Sequence, residues 1–248
     1  MRSSGPTARQ SGAAAAVGGT FAAASLAYWA VFGSRSQLFG SFPYRADTEH
    51  KLVALTFDDG PNEPYTSQLL DTLDDRGVPG TFFQVGRCAE RFPSVTRRVV
   101  GSGHLLGNHS FSHSFGRYLS EPRQRAEIEQ GQQALAAVSG VLPALYRPPW
   151  LCHWPWVLSS VEAAGLQVVS GTFAHPLEVF QPPAAWLTAG AARVVSPGTV
   201  LIMHDGREAR GGNRRQSVAA VGPLIDRLRE RGYAFTTVDR LLGVPGYR

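Results

Sequence analysis

From Lys51 onward the chain alternates short β-type runs with longer amphipathic helical runs, and no other feature constrains its fold as tightly. The strand-like runs are LVALTF (Leu52 to Phe57), GTFFQV (Gly80 to Val85), HLLGN (His104 to Asn108), ALYR (Ala144 to Arg147), LQVVS (Leu166 to Ser170), TVLIM (Thr199 to Met203) and YAFTTV (Tyr233 to Val238). Between them, periodicity predicts helices over Tyr65 to Arg76, Ser94 to Ser102, Gln124 to Ser139, Trp156 to Ala164 and Ser217 to Arg231, several followed by a glycine at the C-cap. Strands separated by helices form parallel sheets, because each crossover must carry the chain back over one face. Seven such strands suggest a β/α barrel, and an open doubly wound sheet would give much the same string. In either case chemistry gathers where the strands end. No repeat, low-complexity tract or second linker follows Lys51, so residues 51–248 are expected to be one domain.

Hydrophobic residues make up 43% of the 248, which argues against a wholly disordered chain. The formal charge of +5 comes almost entirely from scattered arginines, Lys51 being the only lysine. Scattered cations make a solvated surface. No basic stripe interleaved with aromatics is present, so nucleic acid is not an expected partner. Cys88 and Cys152 are too few for a disulfide scaffold and lack the spacing of a zinc site. Outside the cytoplasm a single Cys88–Cys152 bridge becomes an expectation, with two buried thiols as the alternative.

That compartment is suggested by the N-terminus. Arg2 and Arg9 precede SGAAAAVGGTFAAASLAYWAVFG, an uncharged run from Ser11 to Gly33 about long enough to span a bilayer. Residues 1–33 therefore read as a signal anchor or signal peptide, with Tyr28, Trp29 and Phe32 at its outer end where an aromatic belt belongs. The expected location is membrane-anchored with the folded domain outside, or secreted. Residues 34–50, with Gly40 and Pro43, read as a linker carrying a few apolar anchors.

Four clusters stand at strand ends. TFDDG places Asp58 and Asp59 side by side after the first strand, where two carboxylates are costly to bury without a compensating cation. HSFSH carries His109 and His113 four residues apart, a spacing that on a helical turn puts both imidazoles on one side. With a nearby carboxylate they make a two-histidine, one-carboxylate set that leaves coordination positions open. RPPW projects Arg147 from the fourth strand, and LIMHD ends a strand in His204, a group suited to proton transfer. Each cluster alone has an ordinary reading as a turn, a surface pair, a rigid loop or a core histidine.

Taken together and in this order, TFDDGPN, HSFSH, RPPW and LIMHD resemble the motifs of the polysaccharide deacetylase family, the NodB-homology carbohydrate esterases. The resemblance covers Leu52 to Leu242. It implies a distorted (β/α)7 barrel, a divalent metal, and hydrolysis of the acetamido group of N-acetylglucosamine-type residues in a peptidoglycan-like or chitin-like polysaccharide.

 Zinc is the metal the resemblance favours, with cobalt or manganese as substitutes.

Carried over position by position, the resemblance implies that Asp59, His109 and His113 hold the metal, Asp58 is the general base, and Arg147 keeps Asp58 ionised and oriented. The Trp150 N–H, where the family more often has tyrosine, would face the developing oxyanion, with Pro148 beside it. Leu201 would contribute to the pocket for the acetyl methyl group, and His204 would be the general acid. One element departs from the family pattern: where an aspartate usually tunes the histidine, this chain has VSGTFAHPLEVF at Val169 to Phe180, with Glu178 as the substitute at the substrate pocket. Trp150, Trp154, Trp156 and Phe173 are candidates for stacking on sugar rings. The expected partners are an acetylated polysaccharide and, through the N-terminal run, a membrane; nothing in the pattern specifies an oligomeric state. The competing readings are an O-acetyl esterase or non-sugar amide hydrolase of the same fold, and a catalytically silent glycan-binding protein.

Overall fold

A computed structural model describes residues 23–248. Most of the expected anchor lies in residues 1–22, outside the described residues; its end forms helix α1 (residues 23–32). No helix among the described residues is long and apolar enough to cross a membrane. The chain then runs β1 (Leu52–Asp58), α2 (Tyr65–Asp75), β2 (Gly80–Gln84), α3 (Gly86–Arg91), α4 (Pro93–Gly101), β3 (Leu105–Asn108), α5 (Phe115–Tyr118), α6 (Glu121–Ser139) and β4 (Leu145–Tyr146). It continues through α7 (Val157–Ala163), β5 (Gln167–Val168), β6 (Thr172–Phe173), α8 (Ala184–Val194), β7 (Thr199–His204), α9 (Arg215–Glu230), β8 (Ala234–Phe235) and α10 (Val238–Leu242).

All strands are parallel, in the order β5-β4-β3-β2-β1-β7-β6. β1 lies at the centre. Its end from Leu55 to Asp58 pairs with β2, its start at Leu52 and Val53 pairs with β8, and its other edge pairs with β7. Alternation along the strand sorts its side chains between two cores. Val53, Leu55 and Phe57 pack outward with Leu69 and Leu73 of α2, Leu187 of α8, and Leu224 and Ile225 of α9. Ala54 points into the curl with Phe83, Leu105, Leu145 and Val200. Thr56 and Asp58 share the parity of Ala54, so the inner face turns polar toward the carboxyl end of the strand. Gly107 makes room for this interior: a Cβ there would lie 2.5 Å from the Phe83 ring.

The sheet is a curled half-barrel whose two path ends are neighbours in sequence. Leu166 to Ser170, expected as one strand, is the short β5, and a further strand, β6, begins at Thr172. β5 pairs with β4 and β6 with β7, so the chain steps across the seam between Val169 and Gly171. A Cβ on Gly171 would come within 2.9 Å of the Val200 carbonyl, which shows how tightly the chain crosses there. The last predicted strand is also shorter than expected, because the chain turns into α10 at Val238, whose N–H is taken by the Thr81 hydroxyl. α3, α5, α8 and α10 went unpredicted; AAWLTAGAARV in α8 has small apolar residues around much of its circumference, which blurs a helical stripe.

Residues 34–50, expected as a linker carrying a few apolar anchors, are packed against the domain along much of their length. Ser36 and Phe42 are fully buried, Ser34 O accepts from Ser170 Oγ at 2.6 Å, and Pro43 O accepts from Ser170 N at 2.8 Å, so this segment covers the seam. Farther along, Arg45 bridges to Thr199. The expected Cys88–Cys152 bridge is also absent: both thiols are free and buried. Cys88 lies on α3, whereas Cys152 packs with Val31 and Tyr118. Burial pushes each thiol up to about 12.

Candidate active site

The carboxyl ends of β1, β3, β4 and β7 converge on one cleft, lined among others by Asp58, Asp59, His109, His113, Pro148, Trp150 and His204. Asp59 follows β1 with φ of 75°, a left-handed conformation that swings its carboxylate toward the β3 end. Its Oδ1 stands 3.3 Å from His109 Nε2 and 3.0 Å from His113 Nε2. The Glu208 N–H holds the other oxygen, Oδ2, at 3.0 Å. Burial alone would raise the Asp59 pKa, but the His113 charge and hydrogen bonds from both imidazoles hold it well below the usual carboxylate range.

The two histidines meet by a route other than the expected helical turn. They flank a loop in which Ser110 and His113 both have positive φ, at 68° and 52°. Asn108 Oδ1 accepts from Ser110 N, Ser110 Oγ accepts from His113 N, and Glu127 of α6 accepts from both the N–H and the hydroxyl of Ser112. Spacing in sequence thus coincides with convergence in space, while the backbone achieving it is a pinned loop.

The donor set fits a divalent cation. The ligand atoms of Asp59, His109 and His113 lie within 4.8 Å of one another, and all three residues are buried. Two donors of one tetrahedral ion, each about 2.0–2.1 Å from it, stand roughly 3.3 Å apart, close to the separations seen here. His109 Nδ1 is 2.7 Å from the Arg147 carbonyl, an acceptor that would keep the proton on Nδ1 and free Nε2 to act as a ligand once a cation takes the place of the Nε2 proton.

Behind the cleft, Arg147 fills the interior of the curl and is fully buried. Nη1 donates to Asp58 Oδ1 at 2.7 Å and to Thr56 Oγ1 at 2.6 Å, Nη2 donates to Ser170 O at 2.9 Å, and the guanidinium lies 4.1 Å over the Phe83 ring. Asp58 Oδ2 has no hydrogen-bond partner among the described residues and faces the cleft.

His204 ends β7 on the other side of the cleft. Glu178, on a 3₁₀ turn at Glu178–Phe180, accepts from the His204 backbone N–H at 3.0 Å and lies 3.2 Å from Nδ1. Burial pulls the His204 pKa down, but the Glu178 carboxylate, aided by Asp59 and Asp58, more than offsets this and pushes it up to about 9. Glu178 therefore sits behind the histidine, where a substitute for the tuning aspartate belongs, and does not line the cleft as a substrate-binding residue would.

Leu201 needs a correction too. It is fully buried in the outer core with Leu55 and Met203, because side chains alternate along β7 and Leu201 has the opposite parity to His204. The apolar walls of the cleft are instead Trp150, Leu151, Phe173 and Val179. Phe173 stacks near the His204 ring, with centroids 6.3 Å apart, whereas Trp154 and Trp156 stack on each other. Glu208 and Arg214 also line the cleft and escaped notice in the sequence, since they lie in a polar stretch without strand or helix periodicity. Thr56 could have been found from its parity with Asp58.

The polysaccharide deacetylase family model matches residues 45–169. The chain belongs to the polysaccharide deacetylase family. It is 30% identical over 210 residues to a peptidoglycan-N-acetylglucosamine deacetylase of Bacillus cereus, covering 82% of this chain and 93% of the relative. It is 32% identical over 206 residues to a chitooligosaccharide deacetylase of Sinorhizobium fredii, covering 79% and 94%. A family 4 acetyl xylan esterase from Clostridium thermocellum, solved with cobalt, superposes with a TM-score of 0.71 at 33% identity, covering 79% of this chain and 94% of that one. As a member of this family the protein is a polysaccharide N-deacetylase.

Proposed function

We propose that the protein removes N-acetyl groups from N-acetylglucosamine-type residues of a cell-envelope or extracellular polysaccharide, on a distorted (β/α)7 barrel held outside the cytoplasm. The observation that carries this reading is the placement of Asp58 and His204 in one cleft with the Asp59, His109 and His113 donor set. The substrate class is supported by the relatives that act on peptidoglycan and chitooligosaccharides. The location is supported by the uncharged run ending at Gly33.

Amides are poor electrophiles and amines poor leaving groups, so the site must activate water, polarise a carbonyl and deliver a proton. A divalent cation held by Asp59, His109 and His113 would supply Lewis acidity and a lowered water pKa. Asp58 is oriented through Oδ1 by Arg147, and its free Oδ2 takes the proton from water. The Trp150 N–H, which has no acceptor among the described residues, faces the oxygen that gains charge. His204, fixed at Nδ1 by Glu178, delivers a proton to the departing amine from its other nitrogen.

The test is metal analysis of the purified protein, with acetate release measured on peptidoglycan, chitooligosaccharides and acetylated xylan. Chelation is expected to abolish acetate release and added zinc, cobalt or manganese to restore it; full activity in a metal-free preparation would sink the mechanism. Release from xylan alone would favour the second reading, an O-acetyl esterase, for which the acetyl xylan esterase neighbour speaks.

A pH profile tests the Glu178–His204 pair. The donor must be protonated, so activity should fall as pH rises through the His204 pKa of about 9. Glu178→Gln removes the charge that raises that value, so the alkaline limb should move to lower pH while the substrate KM stays nearly unchanged. An unshifted limb would show that Glu178 has only a packing role.

A further inference from the structure

The rim of the cleft carries an apolar surface that catalysis leaves unexplained. Phe32 at the end of α1 lies 5.3 Å from Tyr28 and 6.4 Å from Phe115 between ring centroids, and Phe115 lies 5.2 Å from Trp150 in the cleft wall. Tyr28, Trp29 and Phe115 are exposed, as is Leu26 one turn earlier. Val31 O accepts from His153 N at 2.7 Å, which fastens α1 to the loop that carries Trp150. A recess beside this aromatic path is lined by Arg87, Ser114 and Phe115, with Arg210 at its edge 3.6 Å from the Glu208 carboxylate. Aromatics bordered by arginines are the composition of a surface that meets lipid headgroups.

We propose that this rim is a membrane-contacting face, so that the mouth of the cleft opens at the surface of an anionic lipid bilayer. The occupant follows from continuity: α1 is the end of the uncharged run Ser11 to Gly33, and its last turn packs beside the cleft, where Val31 and Phe32 meet Tyr118, Trp150 and Cys152. In a parallel sheet the loops after the strands lie at one end and the turns before them at the other. Tyr28, Trp29 and Phe115 therefore face the lipid together with the active-site mouth. The consequence is a restricted reach, with glycan close to the membrane as the favoured substrate. This inference rests on the anchored location proposed above.

The experiment uses the full chain in vesicles of phosphatidylcholine and phosphatidylglycerol, with a fluorescent probe on an introduced cysteine. Gly116→Cys lies beside Phe115, and Gly101→Cys lies at the end of α4, before β3; a Cβ at either position meets no atom within 4 Å. Cys88 and Cys152 are buried and leave the probe site-specific. Brominated lipid is expected to quench the Gly116 probe at least about threefold more than the Gly101 probe, as insertion at the headgroup boundary requires. Equal quenching at the two sites in vesicle-bound protein would overturn the proposed face while leaving the anchor intact. Failure of the chain to sediment with vesicles would overturn both, and acetate release in detergent reports separately on the hydrolase reading.

Discussion

Asparagine at position 58 should cut acetate release by about 10²–10⁴-fold while the domain remains folded. The substitution keeps the size of the side chain and an oxygen that accepts from Arg147, whose remaining donors still reach Thr56 and Ser170. What disappears is the basic oxygen that removes a proton from water. The loss should therefore appear in kcat, with KM and metal content nearly unchanged. Turnover equal to that of the parent protein would eliminate Asp58 as the base.

Removal of Arg147 should act mainly on stability. Arg147→Met leaves the Asp58 carboxylate buried without its partner, a situation that costs about 3–5 kcal/mol. For a chain of this size each kcal/mol lowers Tm by roughly 2–4 °C, so thermal unfolding should begin about 6–20 °C earlier. Adding Asp58→Asn should recover part of that loss, because the stranded charge goes with it. Additive losses in the double variant would show that the pair is not coupled. The ion pair is a costly element to bury, and its four contacts explain how the interior tolerates it: two hydroxyl or carboxylate acceptors, a carbonyl and the Phe83 face.

The alternation of strands and helices and the strand-end clusters were legible because they depend on local period and on composition. Asp58, Asp59, His109, His113, Arg147 and His204 all meet in or behind one cleft, as their positions at strand ends suggested. What the sequence concealed depends on contacts between distant segments. The seam between β5 and β6 arises because Ser170 bonds to Pro43 and Ser34, residues more than a hundred positions earlier. The histidine loop is set by left-handed residues pinned from α6, and not by helical spacing. Leu201 was placed at the cleft for its nearness to His204, but it lies three positions before it, and an odd separation along a strand reverses the face. Glu178 was legible as a substitute carboxylate, but its position behind the ring follows from a 3₁₀ turn that has no periodic signature.

The Ser34–Ser170 clasp has a bearing on how the chain assembles. Its two halves are separated by 136 residues, so the stretch that precedes β1 has no docking site until β5 and β6 have formed. Closing so long a loop is entropically slow. The clasp should thus form late, and the Trp150 wall that rests on the same stretch takes its final shape only then. During synthesis, catalytic competence would trail behind the assembly of the sheet itself.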